Sequence, residues 1–329
     1  MTGTAVEPNG RSRRVQNPPA SNLIDLISSQ LATPPHPVVA AFAERVASRY
    51  GAAAQAVLFY GSALRTGDLS GTLLDFYVLV DSYRHAYGSA GLAIANRLIP
   101  PNVFYAEEEI EGVTYRAKYA VLTVEQFRHL ASPACFNVSV WARFAQPSLL
   151  VWARPEARGA VISAVAQAPA TLLRAARPML PAEATVRALW VAAFGLTYGS
   201  ELRAEKKGKG LELFDLAPDY YLAITAPALE AAGIPATVEG DRVALPAVTG
   251  ARRLRGRIAW SLRSLQGKLL SALRLIKATA TFTGGIDYLA WKITRHSGVT
   301  VEIKPWHRRH PIIGGLVLFR DLKRKGAIR

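Results

Sequence analysis

The sequence predicts an α/β protein: a mixed sheet with helices packed on it, then a helical or winged-helix region, then a basic amphipathic C-terminal region. Three observations carry that expectation. Short apolar runs of strand length alternate with helix-period segments as far as Trp152, and from Arg154 to about Ala232 the apolar residues return to helical spacing alone. The charge is also lopsided: of a net +16, the segment Ala251–Arg329 carries +15, from 18 Lys or Arg and 3 acids. The pI near 10.2 therefore describes one segment, and that segment should meet an anionic surface.

Taken in order, residues 1–20 are expected to form a disordered arm, because no apolar stretch of the kind a secretory signal needs follows its bases. A first unit spans 21–153. In it NLIDLISSQL and VVAAFAERVASRYG read as helices separated by the breaker ATPPHP, and QAVLFYG reads as a strand running into a turn. LDFYVLV reads as a second strand, and VFYAEEEIEGVTYRAKYAVLT as a hairpin turning at Glu111-Gly112. A second unit spans 154–250, with helices in AVISAVAQ, TVRALWVAAFGL and DYYLAITAPALEAAG, and a short hairpin in TVEGDRVALP across Gly240-Asp241. The third region, 251–329, opens with RIAWSLRSLQGKLLSALRLIKA. Ile258, Leu262, Leu265, Leu269 and Ile276 fall there on helical spacing, with Arg257, Arg263, Lys268, Arg274 and Lys277 on the remaining surface. That is the pattern of a basic amphipathic helix, expected to dock on an anionic membrane surface. The alternative is a helix packed on the second unit with its bases solvated.

The single cysteine, Cys135, excludes an internal disulfide framework, and six scattered histidines form no zinc pattern with it. A reducing, cytosol-like compartment fits. The longest apolar runs, such as PIIGGLVLF, are about half the roughly 20 residues needed to span a bilayer. No G-x-G-x-x-G opens a helix after a strand, EKKGKG lacks the P-loop frame, and no Ser-His-Asp order stands out.

The chemistry centres on LFYGSALRTGDLSGTLLDFYVLV. A carboxylate, Asp75, opens a strand that should be buried, which costs free energy unless a partner offsets it. A strand ending in Gly-Ser, a loop, and a second strand carrying Asp is the layout of the nucleotidyltransferase fold. In that layout Gly61 lets backbone approach a triphosphate, Ser62 and nearby amides donate to its oxygens, and Asp75 holds a divalent metal. Position 73, where a second acid would complete Asp-x-Asp, is Leu73. Asp81 lies six residues on, roughly 20 Å along a strand, too far to share an ion with Asp75.

Six motifs occur in order: YGS at Tyr60–Ser62, LDF at Leu74–Phe76, AKYAVLT at Ala117–Thr123, WARFAQP at Trp141–Pro147, GLTYGSELR at Gly195–Arg203, and KATATFTGGIDYLAWKI at Lys277–Ile293. Together they resemble the mitochondrial-type phosphatidate cytidylyltransferases of the translocator assembly and maintenance family, the peripheral CDP-diacylglycerol synthases. That family's pattern runs roughly YGS, hDF, KYGV, AGRLQKP, GLSYSGDhR and KGhhTAG, and this chain looks like a bacterial-type member. The resemblance covers about Leu58 to Ile293. It departs at Gly199-Ser200-Glu201, where the family has Ser-Gly-Asp, in the looser WARFAQP, and in an extension after Gly298.

The resemblance implies Mg²⁺-dependent transfer of CMP from CTP to phosphatidic acid, with release of pyrophosphate, in phospholipid biosynthesis. It implies a peripheral enzyme on the cytoplasmic side of a membrane, bacterial or mitochondrial inner. Asp75 and Lys118 are then the expected catalytic residues, with Asp75 as metal ligand. Tyr60, Gly61, Ser62, Arg143, Gln146, Tyr198, Ser200, Glu201 and Arg203 are the expected nucleotide contacts. An ionised phosphomonoester needs positioning more than a general base, so the lack of a histidine base is no obstacle. Two rivals stand beside this reading. One is the same chemistry on another lipid or sugar phosphate. The other is a non-catalytic nucleic-acid-binding protein, disfavoured because the basic segment is interleaved with aliphatic rather than exposed aromatic side chains.

Overall fold

The computed structural model describes residues 23–69, 72–200, 209–281 and 303–306. The arm assigned to 1–20 and all but four residues after Thr281 lie outside the described residues.

The described chain opens with α1 (Leu23–Leu31) and α2 (Pro37–Ser48), both with apolar residues on one buried stripe. Five strands follow: β1 (Ala54–Tyr60), β2 (Leu74–Val80), β3 (Asn102–Ile110), β4 (Val113–Thr123) and β5 (Leu149–Ala153). They form one mixed sheet in the order β3-β4-β2-β1-β5, in which β2 and β4 run parallel and the other neighbours antiparallel. The hairpin turns where the sequence places it. Glu111 (φ 53°) and Gly112 (φ 76°) are both left-handed, the requirement of a two-residue turn matched to strand twist. β5 was not legible as a strand. Its run LLVWA is short and follows a proline, and it pairs antiparallel to β1 at the sheet edge.

All seven residues of β2 are buried because both sheet faces are covered. Ala56, Leu58, Tyr77, Leu79, Ala120 and Leu122 join one core. Val57, Phe59, Leu74, Phe76, Val78 and Val80 join the other, beneath α2. Short helices link the strands: α3 (Ser62–Thr66), α4 (Tyr83–Tyr87), α5 (Ala90–Leu98), α6 (Val124–Ala131) and α7 (Trp141–Phe144).

The first of these cores continues without a break into the second half of the chain. There α8 (Pro155–Ala176), α9 (Val186–Tyr198), α10 (Lys209–Asp215) and α11 (Pro218–Ala231) surround Trp190, Phe194, Phe214 and Tyr221. The Trp190 indole donates to Thr225 Oγ1 at 2.9 Å, so a buried polar group is satisfied. β6 (Glu183–Thr185), β7 (Thr237–Glu239) and β8 (Arg242–Ala244) form a three-stranded antiparallel sheet in the order β6-β8-β7, with the expected hairpin across Gly240-Asp241.

The segment Pro155–Met179 is long and apolar enough to cross a bilayer by length and composition, contrary to the expectation from apolar runs alone. Its most apolar window, of mean hydropathy 1.2, is 61% buried, and burial among other helices accounts for that composition.

The last described helix, α12 (Gly250–Thr281), lies against the C-terminal end of α8. Gly256 permits the approach, since a Cβ there would stand 2.5 Å from Pro178 Cβ. Trp260 is buried beside it and donates its indole N–H to Ala175 O at 3.1 Å.

Candidate functional site

β1 ends at Tyr60 and the chain turns at Gly61, with φ 95° and ψ −162°. Only glycine adopts that backbone without strain. The position is also crowded: a Cβ on Gly61 would lie 2.5 Å from Asp75 Oδ2. The glycine thus lets the carboxylate lie directly against the turn.

Sheet register does the rest. Tyr60 is opposite Asp75, Asp75 is opposite Lys118, and Lys118 is opposite Tyr105. Directly opposed residues share a face, so these four form one row across β1, β2, β4 and β3. Asp75 is 9% exposed, and its Oδ1 lies 3.1 Å from Lys118 Nζ. This ion pair is the partner that a carboxylate at the head of a buried strand requires. The contact is one of charge without hydrogen-bond alignment, since Oδ1 is buried and accepts no hydrogen bond. The Lys118 side chain remains 45% exposed, so its ammonium is reachable from solvent while the carboxylate is enclosed.

The β3–β4 hairpin extends this face. Tyr105 donates its hydroxyl to Glu107 Oε1 at 2.5 Å, and Arg116 Nε donates to the same oxygen at 3.0 Å. Burial, then the Glu107 hydrogen bond and charge, push the Tyr105 phenol well above its ordinary range. Tyr105 is therefore a neutral donor.

Ser62 begins α3, and one turn later Arg65 Nη1 donates to Gln146 Oε1 at 3.1 Å. Gln146 is buried and donates its own amide to Ala142 O at 3.0 Å, which fixes which end of the amide faces Arg65. Arg65 Nε is buried without a hydrogen bond. Arg65 and Tyr198 both act electrostatically on Tyr221, whose phenol burial pushes far up. Gln146 thus meets α3, the helix that Ser62 begins, through Arg65, a residue that sequence reasoning missed. The signal for it was its place three residues after Ser62 on a helical turn. The signal for Arg116 was its place two residues before Lys118 on one strand.

Two further expected residues are tied to backbone carbonyls. Arg143 donates Nη1 to Ser139 O at 2.5 Å. Ser200 is 2% exposed, with its hydroxyl on Leu196 O at 2.9 Å. Gly199 caps α9 in the right-handed region, so it uses no glycine freedom. Glu201 and Arg203 lie outside the described residues. Asp81 stands at the opposite end of β2, 2.7 Å from His85 Nδ1.

For a metal, the described residues hold no group of three or more His, Cys, Asp or Glu. Asp75 is the carboxylate of the row, and its Oδ1 has unused acceptor capacity. Mg²⁺ is commonly held through one or two carboxylates, with substrate phosphates and waters completing the octahedron. This donor set fits that case and does not fit an all-protein metal cage. No protein-family model matches the chain, and no curated protein matches it.

Proposed function

We propose that this chain is a phosphatidate cytidylyltransferase, transferring CMP from CTP to phosphatidic acid at a membrane surface and releasing pyrophosphate. The observation that carries the reading is the Gly61–Asp75–Lys118 cluster: a turn that excludes a side chain, closing on a buried carboxylate with a reachable ammonium beside it. It occurs in the motif order that resembles the peripheral CDP-diacylglycerol synthases. The five-stranded mixed sheet then corresponds to a nucleotidyltransferase domain. The run α8-β6-α9-α10-α11-β7-β8, with its sheet order β6-β8-β7, supports the winged-helix form of the second unit.

In this mechanism Gly61 and Ser62 offer backbone and hydroxyl donors to the triphosphate, and Arg65, steadied by Gln146, offers a fork suited to phosphate oxygens. The acceptor phosphate oxygen attacks the α-phosphorus, and the bond to the pyrophosphate oxygen breaks. Lys118 stabilises negative charge on the phosphates, and the row positions the reactants. Mg²⁺ would be held by Asp75 together with the triphosphate, and when bound it supplies charge neutralisation at the transferred group. Because Lys118 holds the same Oδ1, metal affinity should depend on nucleotide.

Peripheral membrane attachment is supported by α12. Leu254, Ile258, Leu262, Leu265 and Leu269 form a stripe along it, each more than half exposed, on the side opposite the buried Gly256 and Trp260. Arg257 and Lys268 flank the stripe and are exposed. The expected basic surface needs one revision: Arg263, Arg274 and Lys277 turn inward onto the carbonyls of Phe136, Pro100 and Pro101. Ile276 lies outside the described side chains.

The test is pyrophosphate release from each nucleoside triphosphate, with Mg²⁺, offered phosphatidic acid, other lipid phosphates and sugar phosphates in turn. The reading predicts release that requires CTP and phosphatidic acid together. Equal release with a soluble sugar phosphate would move the assignment to that acceptor, and no release with any pair would end it.

A further inference from the structure

A cavity of ≈ 320 Å³ lies between the C-terminal end of α8, the loop carrying Cys135, and the N-terminal half of α12. Four arginines line it, Arg174, Arg252, Arg255 and Arg263, and none of its lining residues is acidic. Its size is at the low end for small-ligand sites, roughly 300–1,000 Å³, which suits a compact anionic group. No residue of the Gly61–Asp75–Lys118 cluster lines it.

The charge here is uncompensated within the fold. Among the described residues, the side chains of Arg174, Arg252 and Arg255 form no hydrogen bond and no ion pair. Arg263 is held in place without being neutralised: its Nε donates to Phe136 O at 3.3 Å, and its guanidinium lies 4.4 Å and 5.0 Å from the ring centres of Phe136 and Trp260. Behind the cavity wall Arg177 is 5% exposed, with one guanidinium nitrogen on Pro246 O and Nη1 buried without a partner. Burial, and then the Arg252 charge, lower the Arg177 pKa. Burial likewise lowers that of Arg263. Like charges gathered without acids raise the free energy of the free protein, and a bound polyanion relieves it.

We propose that this cavity is a phosphate-binding site, separate from the Gly61 turn, that takes a phosphomonoester or phosphodiester group. Guanidinium forks match phosphate oxygens in pairs, and a rim of several arginines selects a doubly charged oxyanion over a carboxylate. On α12, Arg255 adjoins the exposed stripe of Leu254, Ile258 and Leu262, so a lipid headgroup at a bilayer surface and a free phosphate ester are the two sources of that group. The site stands independently of the catalytic proposal, because its test uses no nucleotide.

The experiment compares two double variants with equal loss of charge: Arg174→Gln with Arg255→Gln in the cavity, and Arg158→Gln with Arg253→Gln, which are exposed on the same two helices but do not line it. Binding of inorganic phosphate and of glycerol 3-phosphate is read by ³¹P line broadening. Binding to phosphatidylcholine vesicles with and without phosphatidic acid is read by co-sedimentation. The cavity pair should lose phosphate binding by about tenfold or more, equivalent to about 1.4 kcal/mol, while the other pair keeps it. Loss in the soluble arm as well as the vesicle arm identifies any phosphate ester as ligand, and loss confined to phosphatidic acid vesicles identifies the headgroup. Equal loss in both pairs, or none in the cavity pair, would overturn the proposal. Should the first cavity pair fail to fold, Arg252→Gln with Arg255→Gln carries the same expectation.

Discussion

The Gly61 turn and the cavity beside α12 handle charge in opposite ways. At the turn one carboxylate and one ammonium lie 3.1 Å apart on adjacent strands, so the site is close to neutral before anything binds. At α12 four guanidinium groups share one cavity with no acid among its lining residues. The first arrangement is set by sheet register and by a glycine that admits no side chain. The second is set by helix spacing, which brings Arg252, Arg255 and Arg263 to one side of α12. A neutral pair can exchange partners when a triphosphate and a cation arrive together, whereas an uncompensated cluster can only gain an anion. On the proposed reading, the first arrangement serves a reaction and the second serves attachment.

The sharpest way to break the first arrangement is Gly61→Val. Positive φ alone costs about 1–3 kcal/mol for a non-glycine residue, and the new side chain would strike Asp75 Oδ2. Triphosphate binding should be abolished and stability should fall by more than that strain. Ser62→Ala removes one donor, with an effect of about 1 kcal/mol on nucleotide affinity. Titration calorimetry with a non-hydrolysable CTP analogue, alongside thermal unfolding, checks both. Equal effects from the two substitutions would show that the close approach is structurally idle.

An intermediate effect is expected on α12. Replacing Ile258, Leu262 and Leu265 together by Gln removes exposed apolar surface, so thermal stability should change by no more than about 0.5 kcal/mol per site. Partition onto anionic vesicles should fall at least tenfold, or about 1.4 kcal/mol. Vesicle binding that survives the triple substitution would place membrane contact elsewhere.

These contrasts also show what was legible in the sequence. Strands were readable where a short apolar run meets a turn signal, as in β1, β2 and the Glu111-Gly112 hairpin. Asp75 stood out because a charge interrupts an apolar run. β5 was lost because its few residues carry no alternation, whereas α8 was read at its middle, in AVISAVAQ, and its full length was missed because its apolar residues spread around the helix beyond a single stripe. The contact of Arg65 with Gln146 spans 81 positions, and nothing local announces it. The cavity arginines come from α8 and α12, more than 70 residues apart in the chain, so periodicity shows each face without showing that they meet. Arg263, Arg274 and Lys277 read as solvated bases because their acceptors are backbone carbonyls, which any sequence supplies.

The smallest expected effect concerns Lys277. Burial, and then the Arg274 charge, lower its pKa from 10.5 to about 8. Below about 8 the folded chain must carry a disfavoured charge, while the unfolded chain keeps its proton up to its ordinary value. The unfolded state therefore binds more protons between those limits, and stability contributed at this position should rise with pH through that window. Comparing melting temperatures of wild type and Lys277→Met at pH 7.5 and 9.5 tests it. The wild type should gain relative to the variant at the higher pH, and an unchanged gap would mean that Lys277 titrates normally.

The central claim is that Asp75, enclosed by the Gly61 turn and paired with Lys118, is the acid on which the chemistry depends. Asp75→Asn keeps shape and volume while removing the charge, so circular dichroism should report the same fold. The account predicts that pyrophosphate release from CTP with phosphatidic acid and Mg²⁺ falls roughly 100-fold or more, about 2.7 kcal/mol of transition-state stabilisation. Turnover within about twofold of wild type, a difference of about 0.4 kcal/mol, would contradict it.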